Sequence, residues 1–302
     1  MIDWFTDPYR TDFMRNAAVT AVLVGVLAPT VGVWVVLRRL AYLGDAMSHG
    51  TLAGVAAAYL AGISITIGAL AAGVVMGLLV AGFDRQRRLG HDSAIGVAET
   101  LMFAIGIILI SRNDRIGVDL THYLFGQIVT TSTEDIVVNA ALTAIALAIV
   151  ALAFDDLRNV TFDPGHARQV GIPVGPLRIV LIALISITVV VSLNTVGLLM
   201  SVAMLITPAA TARLLTNRIG TMTAVAVGVG VTSSIAGLTI SYHLATPPGP
   251  TIALATVAWF GAATVASHLP RLASRGPRRD TPSEHAPRRL VAAGVDTDPG
   301  RR

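Results

Sequence analysis

The chain has 302 residues, 54% of them hydrophobic and 13% charged, with a mean hydropathy of +0.71 and a formal net charge of +4. Soluble domains carry roughly 25% charged residues, so this composition excludes an ordinary soluble enzyme or nucleic-acid-binding domain and describes an integral membrane protein. Cysteine is absent and all 22 basic residues are arginine, which excludes disulfides, thiolate metal sites and a phosphate-binding loop with its lysine; any ATP that drives this protein is hydrolysed by another chain.

Residues 1–16 carry Asp3, Asp7, Arg10, Asp12 and Arg15 rather than the basic start and apolar core of a cleavable leader. They are expected to remain as an extracytoplasmic segment. A membrane domain is predicted over 17–269. Spans of about 20 apolar residues, cut at charged, Pro and Gly punctuation, fall at 17–37, 42–61, 64–83, 93–110, 136–153, 177–194, 197–214, 220–243 and 251–269. These spans, about nine, predict an all-α polytopic transmembrane bundle in which Gly and Ala let helices approach closely; strands of a barrel would alternate in polarity. Residues 270–302 are rich in Arg, Pro, Asp and Ser without apolar periodicity and read as a disordered basic tail.

Arginines in short connections orient such a chain. Arg38 and Arg39 follow the first span, Arg85, Arg87 and Arg88 the third, Arg158, Arg168 and Arg178 mark the connection after the fifth, and Arg213 and Arg218 follow the seventh. Every second connection is basic, which puts these loops and the C-terminus in the cytoplasm and the N-terminus outside. Arg112 and Arg115, beside Asp114, are the exception on the outer side. The outer stretch 114–135 has an apolar centre too short to span and is read as a short helix at the outer surface. In the inner stretch 154–178, Asp163 and Pro164 have the form of an N-cap and first helical residue, and Gly171, Ile172 and Pro173 that of a stop. A cytoplasmic helix of about two turns is expected there, exposing the small residues Ala167 and Gly171; a solvated loop is the other reading.

No Asp or Glu occurs from Pro164 to Arg279, so only Asp45 and Glu99 place carboxylates within spans. A charged side chain at the centre of a span costs roughly 2.5–3.5 kcal/mol, so each needs a partner, a watery cavity or a proton. Asp45 and His49, in "LGDAMSHG" (43–50), are four apart and share one helix face. Counted from Arg39 they lie about 9 Å and about 15 Å into the hydrocarbon. Carboxylate oxygen and imidazole nitrogen suit Zn²⁺, Mn²⁺ or Fe²⁺; a self-satisfied hydrogen-bonded pair serving packing or a proton relay is the alternative. Two ligands are too few for a closed structural site and suit a site of transit. Glu99, near the cytoplasmic end of the fourth span, either lines the same pathway or snorkels. His243, at the outer end of the eighth, meets an incoming ion or bonds a carbonyl; His122 and His268 are read as interfacial. Pro208 interrupts the seventh span as a hinge or as a harmless kink.

Five blocks in order, "VLRRLAYLGDAMSHGTLAGVA" (36–56), "YLFGQI" (123–128), "FDPGHARQVGIPV" (162–174), "GLLMSVAMLITPAATARLLT" (197–216) and "SYHLATPPGPTI" (241–252), resemble the membrane permease of zinc/manganese/iron ATP-binding-cassette (ABC) importers over about residues 10–269. The resemblance implies a type II ABC importer permease fold in a bacterial cytoplasmic membrane. It implies two permease subunits, a second copy or a paralogue, with cytoplasmic ABC ATPases beneath and a metal-loaded extracytoplasmic solute-binding protein above. It implies a transported divalent metal ion and no permanently bound cofactor. By position, Asp45 and His49 match the family's D-x-x-x-H pattern on the metal path, and Asp163 to Gly171 the coupling helix that enters an ATPase groove, within 155–178. Glu99 stands where the family pattern has a small or apolar residue, so no role for it is inherited. The tail has no counterpart; its charge suits anionic lipid. A proton-coupled secondary transporter using Asp45 and Glu99 would show paired repeats, and none is evident; a vitamin or siderophore importer would not call for a metal-ligand pair.

Overall fold

The computed structural model describes residues 7–84, 90–112, 128 and 131–273. The arginines between 85 and 88, most of the outer stretch 114–135 including His122, the side chain of His268 and the tail beyond Ala273 lie outside the described residues. All regular structure among the described residues is helical. A short 3-10 turn, Asp7–Arg10, precedes α1 (Asp12–Leu37), α2 (Ala41–Ala61), α3 (Ile65–Phe83), α4 (His91–Ser111), α5 (Thr133–Leu152), α6 (Phe154–Phe162), α7 (Pro164–Gln169), α8 (Val174–Val196), α9 (Leu198–Leu215), α10 (Ile219–Leu244) and α11 (Pro248–Ala273).

Every predicted span corresponds to one long helix, and the differences lie at the ends. The first helix starts at Asp12 rather than residue 17, with an acidic residue in its positive first turn. Before it, the Tyr9 hydroxyl sits 2.9 Å from Thr239 Oγ1 of α10 and anchors the N-terminal turn. The fifth starts at Thr133 because Ser132 and Asp135 close a reciprocal capping box. Among the described residues, seven helices are both long and apolar enough to cross a bilayer on their own. The two that fall short, α2 and α9, pack against several of the others: α2 on α3 and α4, and α9 on α1, α10 and α11.

At the centre is α1, 72% buried over its most apolar window, against 22% for α5 and for α11. In lipid, helices associate by close packing rather than by exclusion of water, and glycines set the crossings. At Gly54 of α2 an added Cβ would stand 2.1 Å from the Gly68 carbonyl oxygen of α3. Beside Gly32 of α1 runs the Leu205 backbone of α9, one turn before Pro208, and α9 continues as one helix through that proline.

The two ends of the bundle are separable by contact. At one, residues from the end of α1 (Val36), the start of α2 (Ala41, Tyr42), the start of α4 (Asp92) and the second half of α9 (Ala210) line a single shallow depression. Arg178 at the start of α8 reaches Asp84 after α3, and Trp34 of α1 meets Phe154 of α6 edge-on at 5.5 Å between centroids. This is the basic end, carrying Arg38, Arg39 and Arg178. The chain therefore passes from end to end at each long helix, as the alternation of basic connections requires.

Candidate metal path

The second helix is buried almost all round. Between Leu43 and Ala58 every residue is buried except Asp45, His49, Gly54 and Ala57. Small residues allow this: Gly44 leaves room for Leu205 of α9, Gly50 for Met76 of α3, and Gly106 of α4 for the Ala53 backbone. Ser48 donates to the Gly44 carbonyl and lies 3.0 Å from Ser201 Oγ of α9, so its hydroxyl is satisfied within the bundle.

Tyr42, Asp45 and His49 occupy about 60° of arc on the open side of this helix. The Asp45 side chain is 43% exposed and that of His49 31%. His49 Nε2 and Asp45 Oδ1 stand 3.8 Å apart, beyond hydrogen-bonding distance. Two ligands of one tetrahedral ion, with bonds of about 2.1 Å, stand about 3.4 Å apart, so a small side-chain adjustment would let both donors meet one ion. Phe103 of α4 holds the imidazole edge-on, with centroids 5.9 Å apart and rings at 90°. Open to lipid, this pair would carry the cost of intramembrane charge; open to water or to a second subunit, it does not.

Glu99 of α4 is half-buried, and its carboxylate faces the Tyr42 hydroxyl across the helix crossing, where a Cβ added to Gly96 would stand 3.3 Å from Tyr42 Oη. Tyr42 also lies within electrostatic reach of Asp45 and Asp92. It also borders the depression at the basic end, about 610 Å³ in volume, with Arg39, Asp92, Ile206 and Ala210. The structure thus brings Glu99 to Tyr42 on the open side of α2. His243 is placed elsewhere, exposed at the far end of α10 against the ring of Tyr242, with centroids 5.4 Å apart. Among the described residues no group of three or more His, Asp or Glu forms a metal cluster. Tyr42 and Phe103 escaped the sequence reading; Tyr42 is three residues before Asp45, a helical spacing that signals a shared face.

The inner connection contains two short helices where one was expected. In α6, Leu157 and Val160 are buried, three apart on one face. Asp163 caps α7 as anticipated, its Oδ1 accepting from the His166 N–H at 2.9 Å, and Pro164 takes the first position. Gly171 has φ of +83°, a left-handed turn that ends the helix as glycine does. One expectation is corrected: Ala167 is buried, not exposed. Its small side chain lets α7 lie directly on the bundle, leaving Phe162, His166 and Val170 outward.

A model of the ABC 3 transport family matches residues 10–266. The chain belongs to the ABC 3 transport family. It is 40% identical over 251 residues to the manganese transport system membrane protein MntC of Halalkalibacterium halodurans, covering 83% of this chain and 86% of that protein. Over 270 residues it is 32% identical to the chelated iron transport system membrane protein YfeD of Yersinia pestis, covering 89% and 91%. Among solved structures, PsaBC from Streptococcus pneumoniae in complex with Fab matches with a TM-score of 0.80 and 33% identity, over 87% of this chain and 95% of that one. As a family member the chain is a multi-pass transport permease and not an enzyme.

Proposed function

We propose that this chain is the permease of an ABC importer that carries a divalent transition metal ion, Mn²⁺ first and Fe²⁺ second, into the cytoplasm, with Asp45 and His49 as its ligands on the path. The observation that carries this is the open side of α2: a helix buried nearly all round leaves a carboxylate and an imidazole accessible and not hydrogen-bonded to each other. Relatives named for manganese and iron transport support the choice of ion, as do oxygen and nitrogen donors in a chain without cysteine. Glu99 and Tyr42 border the route from this pair to the basic end. His243 is assigned the outer mouth.

The basic end is the cytoplasmic one by the arginine rule, which puts the C-terminus and the 270–302 tail in the cytoplasm of a bacterial inner membrane. The segment 155–178 docks on a separate ATPase: Asp163 caps its short helix, Ala167 seats it on the bundle, Gly171 turns the chain back, and Phe162 and Val170 supply apolar contact. A solute-binding protein delivers the ion at the opposite end, and a second permease copy or a paralogue closes the path on the open side of α2. ATP binding moves the docked segment, and access to the pair alternates between the two ends.

The test is uptake of Mn²⁺, Fe²⁺ and Zn²⁺ into vesicles holding this chain with its ATPase and binding protein. Mn²⁺ is expected to accumulate only with ATP, and His49→Ala and Asp45→Asn to lower the rate by at least about tenfold. Unchanged uptake in both variants at normal assembly overturns the ligand assignment.

A further inference from the structure

Asp84, immediately after α3, joins three helices at the basic end. Arg178 Nη2 of α8 lies 2.8 Å from its Oδ2, and His91 Nδ1, the first residue of α4, lies 3.1 Å from its Oδ1. Each carboxylate oxygen thus serves a different helix. Arg38 at the end of α1 is close enough to feel the Arg178 charge. Nothing in the metal path uses this group.

The position of Arg178 gives the cluster its meaning. It stands one turn into α8, five residues after Pro173, where the inner connection ends. Through Asp84 the start of α8 and the end of α3 are tied to the first turn of α4, and α4 carries Phe103 against the His49 ring and Glu99 against Tyr42. A continuous line of contacts therefore runs from the segment beside the ATPase to the metal ligands.

We infer that Asp84 is a positioning residue that relays displacement of the 155–178 segment, through Arg178 on one oxygen and His91 on the other, to the α4 wall of the metal path. This rests on the proposed docking of that segment on an ATPase. A relay has two arms in series, so breaking either arm breaks transmission, and breaking both does no further harm. Two independent stabilising contacts would instead give effects that multiply.

The experiment uses the full assembly in vesicles and reads ions imported per ATP hydrolysed for wild type, Arg178→Gln, His91→Ala and the double variant. Expected are hydrolysis rates within about twofold of wild type and an import ratio lowered about tenfold, a size typical of coupling between sites, in each single variant and in the double variant alike. An unchanged ratio in either single variant overturns the relay. So does a loss of about a hundredfold in the double variant, the multiplied result of independent sites. Hydrolysis and import falling together would assign the cluster a purely structural role and also overturn it. Failure of the docking reading is seen separately, as a wild-type chain that neither retains the ATPase nor imports any ion with ATP.

Discussion

Gly228 and Gly230 lie two residues apart in α10, and alanine at each is expected to act in opposite directions. At Gly230 a Cβ would stand 2.4 Å from the Gly25 carbonyl oxygen and 2.6 Å from Pro29 Cγ of α1. An ordinary carbon–oxygen contact is about 3.3 Å, so the helices must part by about 0.9 Å. Overpacking of this kind costs about 1–3 kcal/mol, set against about 0.8–1.0 kcal/mol gained from replacing glycine within a helix. The net is a loss of up to about 2 kcal/mol. Gly228 is exposed with nothing within 4 Å of its added Cβ, so only the gain of about 0.8–1.0 kcal/mol remains. At about 2–4 °C per kcal/mol, thermal loss of folded protein in detergent, followed by size exclusion, should show Gly230→Ala melting several degrees below wild type and Gly228→Ala about 2–4 °C above. A Gly230→Ala protein at least as stable as wild type would refute the close α1–α10 crossing.

Asp163→Ala removes the acceptor for the His166 N–H and should cost α7 about 1 kcal/mol, read as faster hydrogen exchange over 164–169 and weaker stimulation of the ATPase. Gly171→Ala forces a side chain into a φ of +83°, a conformation costing roughly 1–2 kcal/mol for other residues; the same exchange measurement should show the end of α7 loosened. The Asp84 carboxylate is held below the usual aspartate range by the Arg178 hydrogen bond, with His91 adding to it. A lowered folded-state value means its contribution is complete above the ordinary aspartate pKa of about 3.9 and is lost as pH falls through the still lower folded value. The wild-type melting temperature should therefore lose an Asp84-dependent part only below about pH 4, and Asp84→Asn should flatten that part of the profile. Protons compete with the ion for imidazole, so ion uptake should weaken on acidification at pH values where the Asp84 contacts are intact.

The long helices were legible because a bilayer demands apolar runs of fixed length, and the arginines Arg38, Arg85 and Arg218 stood just beyond the ends of three of them. The second span was readable despite its polar content, since its flanks fixed it. The D-x-x-x-H spacing put Asp45 and His49 on one face, and the Asp163–Pro164 cap was visible as chemistry. What could not be read was which side of α2 stays open, because that depends on three other helices packing against its glycines and serines. Ala167 illustrates the same gap: a small residue in a polar stretch reads as exposed, whereas here its size lets α7 press onto the bundle. The first helix of the inner connection was missed although Leu157 and Val160 carry a helical spacing, masked by the charges of Asp155, Asp156 and Arg158. The Asp84 cluster joins residues 94 positions apart, which no local pattern reveals.

The assignment of α2 to the metal path turns on contact between the His49 imidazole and the transported ion. Pulsed electron paramagnetic resonance of Mn²⁺ bound to the permease and ATPase alone, without the binding protein, reads nitrogen ligands directly. A nitrogen coupling present in wild type and in Asp45→Asn but absent in His49→Ala is the predicted result; a coupling that survives in His49→Ala would contradict it.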